Sequence, residues 1–267
     1  MEGNIQVLQS ESLLAINKSE IDMQIATAHQ YPRDINRVLN QIKTYATIDE
    51  ATAADCFYAL PRAGSTIEGI SVRFAEILAG AWGNLRVQSR IIGNDGKVIT
   101  AQAICHDLES NLAISVEVKR KITDRQGRTF SEDMQVTTGN AACSIAFRNA
   151  VLKTIPKAIT SKLLEDIKQV GLGKAMDLTT RRNNMIAMFN KAGITTPDIL
   201  EYLNASCVED IDANMIFTMG GLWNAVKEGT TTLEDTIKKE LKEKREAAQA
   251  EKKAKTAKEK VDAAMNG

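Results

Sequence analysis

The residues here with the chemistry to catalyse or to hold a metal are two histidines, four cysteines and a few neighbouring carboxylates. His29 and His106 are far apart, and neither has a cysteine or carboxylate at ligand spacing. His106 therefore reads as a strand-end residue before it reads as a base. Asp107 and Glu109 stand together, but in a segment with turn chemistry. Cys56, Cys105, Cys143 and Cys207 form no Cys-x-x-Cys pair. In a chain of 267 residues they read as small apolar residues in a reducing compartment.

Nucleotide chemistry fares no better. Gly173-Lys174 is followed by Ala175, and Lys168 stands where a phosphate-cradling loop needs its first glycine. Gly171-x-Gly173 follows a helical stretch and not a strand, unlike a dinucleotide fingerprint. No Gly-x-Ser-x-Gly elbow is present. The expectation is a non-catalytic protein needing no cofactor and no metal, with a diverged enzyme as the alternative.

The basic residues point elsewhere. Lys119, Arg120, Lys121, Arg125 and Arg128 cluster around one expected hairpin, with Arg148, Lys153 and Lys157 on an adjoining helix. Lys153 and Lys157 are read as sharing a helical face at i, i+4. Arg86 and Arg90 alternate onto one face of a strand, and Arg62 sits in a loop at Pro61–Thr66. Cations on a sheet beside a helix suit a phosphate backbone, because each contact releases counterions whatever the base. A charged hairpin tip is equally what a soluble sheet edge carries. The formal net charge is zero and aromatics are only 4% of residues, so any such site depends on local charge. Phe130, Phe147, Tyr58 and Trp82 are the candidate stacking partners, and each also suits a core.

Positioning these residues requires an α+β fold. The first thirty residues carry few landmarks and read as a flexible arm with weak helical character. Helical spacing follows after Pro32, over Ala51–Leu60, and after a Ser71 cap. From Leu85 the period becomes two. Strands run to Ile91, over Lys97–His106, from Leu112, and over Arg128–Val136, giving a four-stranded antiparallel meander. Leu112, Ile114, Val116 and Val118 face one side, and Ala113, Ser115, Glu117 and Lys119 the other, so one face is buried and one wet. A helix over Ala141–Ile155 is expected after Thr137-Thr138-Gly139-Asn140, then another over Ser161–Val170. The expected core spans 31–172, and a helical module spans 177–230. Met219 and Trp223 of that module read as its own core or as an exposed anchor. From 236 to 267 the chain is a charged tail with no apolar stripe to dock.

The stretch Thr138-Gly139-x-x-x-x-Ser144-x-Ala146-x-Arg148, placed after the meander, resembles the Erf-like single-strand annealing proteins of phages. The resemblance covers residues 34–165. Ile145 stands where that family carries an aromatic, and the gap after Thr-Gly is about one residue longer. It implies a β-β-β-α annealase core, single-stranded DNA in a groove between sheet and helix, and ring or filament oligomers. It also implies a C-terminal unit that binds a partner such as the host single-strand-binding protein, and a location in the bacterial cytoplasm. The expected function is ATP-independent annealing of complementary strands in phage-type recombination. A single-stranded DNA-binding replication accessory protein without annealing activity and a structural or partner-binding phage protein are the rivals.

Overall fold

The computed structural model describes residues 2–62, 65–124, 126–173 and 178–250, the side chains of 2–14, 62 and 65 excepted. The chain is α+β, with two small antiparallel sheets packed against helices. Helix α1 (Glu2–Gln30) takes up the N-terminal residues. Its last turns meet the core, where Ala28 is buried and Gln24 accepts from the Arg86 guanidinium at 2.9 Å. Helix α2 (Ile35–Ala46) starts at Asp34, whose carboxylate caps the amides of Asn36 and Arg37, so Pro32 lies outside the helix.

The first correction follows α3 (Glu50–Asp55). Residues 57–70, expected as the end of a helix and a loop, form the hairpin of β1 (Phe57–Arg62) and β2 (Ser65–Ile70). Pro61 is tolerated because this sheet has only two strands, so one side of each is an edge. Helix α4 (Val72–Trp82) begins at the Ser71 cap as expected.

The meander has three strands: β3 (Leu85–Asn94), β4 (Val98–Asp107) and β5 (Leu112–Lys121), paired in that order. The fourth expected strand does not form. Among the described residues a single bridge, Thr123 with Thr129, extends the pairing before Ser131 caps α5 (Glu132–Thr154). The Ser131 hydroxyl accepts from the Met134 amide, and Glu132 and Asp133 supply negative charge to the first turn. Those local terms outweigh the β-like run from Met134 to Val136. Helix α5 is thus longer than expected and contains Thr138-Gly139 in its middle.

Helix α5 lies across one face of the sheet. Ala142, Ala146 and Ala150 meet Ala101, Ala103 and Cys105 in an apolar core closed by Phe74, Leu78 and Ile167. Small residues on both surfaces let helix and sheet approach closely, which is how a chain poor in aromatics fills its interior. Helix α6 (Lys157–Leu172) follows Pro156.

Helices α7 (Leu178–Lys191), α8 (Thr196–Leu203) and α9 (Ala213–Lys227) build a second core around Phe189, Ile199, Met219 and Leu222. Met219 is fully buried, and Trp223 packs edge-on to Phe189 with ring centroids 5.4 Å apart, so both belong to this core. Helix α9 also joins the two parts. Phe217 stacks against Phe57 of β1, and Asn224 donates to the Phe57 carbonyl at 3.0 Å. A Cβ at Gly221 would come within 2.9 Å of the Ala59 backbone, so glycine is what lets α9 lie directly on β1. The start of the expected undocked tail is docked instead. A π-helical turn (Glu234–Lys238) leads into a helix over 239–250 (α10), and Ile237 and Leu241 bury themselves one turn apart in the second core. Arg245 holds Asp198 and Glu201 from the same helix. Two apolar residues at i, i+4 suffice where the facing surface is apolar. The remainder of the tail, 251–267, lies outside the described residues.

Candidate nucleic-acid interface

Strand register decides which basic side chains share a surface. Arg86 pairs across β4 with His106, Arg90 with Gln102, Thr100 with Lys119, and Val98 with Lys121. Because alternate residues point to opposite faces, Arg86, Arg90, Lys119 and Lys121 stand on the face turned away from α5. Gln88, Val98, Thr100, Gln102, Ile104, His106, Ala113, Ser115 and Glu117 complete it. Four cations therefore face one carboxylate. Among the described residues none of the four makes an ion pair, and Arg90, Lys119 and Lys121 are exposed. Arg86 and Arg90 are steadied by Gln24 and Gln102. The His106 Nε2 lies 3.2 Å from the Asn111 side-chain oxygen, a strand-end contact.

The other expected site residues separate from this face. Arg120 points to the inner side of β5, half-buried, and donates to the Gly229 carbonyl; burial pulls its pKa below the usual guanidinium value. Arg128 belongs to a tight turn, its guanidinium bound to Asp124 at 2.9 Å. The fourth strand that was to line these residues up is absent, so the expected hairpin cluster divides. Arg125 lies outside the described residues, and Arg62 ends β1 with its side chain outside the described atoms. Lys153 and Lys157 are exposed, but Pro156 separates them, so they lie on α5 and α6 and not at i, i+4 of one helix.

Arg148 is the largest departure. It is only 7% exposed. Its guanidinium lies 3.2 Å from the Glu228 carboxylate and 4.8 Å above the Tyr58 ring. The second Glu228 oxygen accepts from the Val72 amide at 2.9 Å, at the start of α4. Burial raises the Glu228 pKa, against the opposing pull of the Val72 amide and Arg148. Arg148 thus ties α5 to the end of α9 and is not open to a phosphate. Glu228 was missed because it is eighty residues away and carries no local signal.

Trp82 and Tyr58 are likewise occupied. The Trp82 indole donates to Asp107 at 3.2 Å, and Arg33 lies 4.4 Å above its ring. Arg33 grips Asp107 with two 2.7 Å bonds and reaches Glu109 as well. Burial pushes the Asp107 pKa up, but the Arg33 and Trp82 hydrogen bonds outweigh it and hold the carboxyl down at about 2. The Asp107–Ser110 turn is therefore a structural knot, as turn chemistry implied. Phe130 and Phe147 are half-buried.

Among the described residues no group of His, Cys, Asp and Glu is arranged to hold a metal ion, and no helix is long and apolar enough to cross a membrane. No protein-family model matches the chain, and neither curated proteins nor solved structures include one that resembles it significantly.

Proposed function

We propose that this protein binds single-stranded DNA along the outer face of β3-β4-β5 and anneals complementary strands without ATP. The observation that carries the reading is the basic row of Arg86, Arg90, Lys119 and Lys121, none of them in an ion pair among the described residues, on the sheet face turned away from α5, which α1 reaches through the Gln24–Arg86 hydrogen bond. A cationic surface of this kind holds a backbone through phosphates and leaves base edges free. Complementary strands held this way pair through their own stacking and hydrogen bonds, so no perturbed base, metal or cofactor is required. Each chain offers few phosphate contacts, and self-assembly into a ring or filament multiplies them along one strand. The α7–α10 unit is the surface offered to a partner such as the host single-strand-binding protein. The four free cysteines, two of them buried, fit action in a reducing bacterial cytoplasm.

The test is a fluorescence-transfer annealing assay with two labelled complementary oligonucleotides and no nucleotide cofactor. The protein is expected to accelerate pairing, and the Arg86→Ala/Arg90→Ala/Lys119→Ala/Lys121→Ala variant to lose the acceleration. Tight single-strand binding with no gain in pairing rate would replace annealing by simple strand protection.

A further inference from the structure

We propose that the groove between β3 and the first half of α5 is a slot for a single nucleobase of the bound strand. This rests on the DNA path above and adds where one base goes.

The groove encloses about 380 Å³, with Ile91 and Ile99 from the sheet and Val136 and Gly139 from α5 forming its apolar walls. Gly139 is in the middle of a helix, where alanine is the better residue. No packing demand explains the glycine. A Cβ there would meet Ile91 and Ile99 at 3.5–3.8 Å, ordinary contact distances, and its φ is not in the left-handed region. What a Cβ would do is take up room in the groove. The glycine therefore keeps open a space that the folded chain leaves unfilled.

The sheet edge connects this space to the basic face. Pairing of β3 with β4 slips between Ile91 and Gly93, and at this bulge Ile91 and Ile92 are each 44% exposed. Arg90, the neighbouring residue, points to the outer face. A strand crossing the edge there has a cation for its phosphate and apolar surface beside it for a base.

The lining chooses the base over other occupants. Among the described residues no cation lines the groove. The polar side chains there without a hydrogen-bond partner among the described residues are Asn140, an amide, and Glu132, a carboxylate. An amide and a carboxylate match the donor and acceptor edge of a base, and a carboxylate repels phosphate. One base per chain held in this way fixes the strand's register and leaves its other bases free to pair.

The experiment uses the full chain with two labelled oligonucleotides, one of mixed sequence and one of the same length with abasic sites throughout. The wild-type protein is expected to bind the base-bearing strand at least about fivefold more tightly, the lower end of what one base contact contributes. Gly139→Ala is expected to melt no earlier, to bind the abasic strand as the wild type does, and to lose the preference for bases. Val136→Asp, at a position 64% exposed, repeats the test should Gly139→Ala fold poorly. A preference kept by both variants overturns the slot while leaving the DNA-binding face intact. An altered sedimentation profile with unchanged preference also overturns it and assigns the groove to a second copy of the chain. No binding of either strand by the wild type overturns the slot and the DNA-binding reading together.

Discussion

Replacing Arg148 by methionine separates a structural cation from a DNA-binding one. Methionine keeps an apolar stem over the Tyr58 ring and removes the guanidinium. Glu228, with its side chain 9% exposed, then keeps the Val72 amide as its hydrogen-bond partner among the described residues, with Arg73 as a weaker favourable charge. Removing one member of a buried ion pair costs about 3–5 kcal/mol, because the remaining charge is stranded. The surviving amide bond, and the ability of Glu228 to take up a proton, place the expected loss near the lower end, about 3 kcal/mol. For a chain of this size that is a melting-temperature drop of roughly 5–10 °C. The pH dependence has a definite sign. A carboxylate whose folded pKa is raised is destabilising above its unfolded pKa, and the cost is relieved as pH falls through the folded pKa. The deficit of Arg148→Met is therefore expected to shrink on acidification. Arg148→Met/Glu228→Leu, which removes both charges, is expected to recover most of the loss. The assay is thermal unfolding at two pH values, paired with single-strand affinity measured well below the melting temperature. Affinity within about twofold of wild type is expected, since the pair is buried among α4, α5, β1 and the end of α9 and contributes nothing to the outer face of the sheet. Unchanged melting with a fivefold or greater loss of affinity would refute the structural assignment and return Arg148 to the DNA path.

Three further outcomes are expected. Asp107, held at about 2 by Arg33 and Trp82, contributes stability that is fully present above about pH 5 and lost as pH falls towards 2, about 2 kcal/mol in all. Urea midpoints at pH 6 and pH 3 check it, and Asp107→Asn is expected to flatten the difference. Leu241→Ala, at a docked position of α10, is expected to cost about 2–4 kcal/mol in the same measurement, whereas an undocked tail would lose nothing. Arg120→Met is expected to lower stability through the lost Gly229 contact while leaving the salt dependence of DNA binding unchanged.

Period-two alternation made β3, β4 and β5 legible, and with them the division of Arg86, Arg90 and Lys119 onto the wet face. That signal is strong because the pleat enforces it residue by residue. The Ser71 cap was legible for the same local reason. Residues 132–140 misled because Met134 to Val136 look strand-like, while the decisive term is the Ser131 cap with two acids behind it. The β1–β2 hairpin was hidden by Pro61, which reads as a loop unless the strand is known to be an edge. Arg148 could not be read from its neighbours at all. Its helical position is visible in sequence, but Glu228 and Tyr58 reach it only through the docking of α9 on β1. Charge that pairs across eighty residues leaves no local trace, so basic residues on a helix were credited to a ligand when one of them belonged to the fold.

The central claim is tested most directly by fluorescence anisotropy of a labelled single strand titrated across a salt series, for the wild type and for the four-residue outer-face variant. Four phosphate contacts per chain are expected to give a slope of about −3 in log affinity against log salt, with the variant's slope near zero and its fold intact. Equal slopes for the two proteins, or no binding at low salt by the folded wild type, would contradict the assignment of this face to DNA.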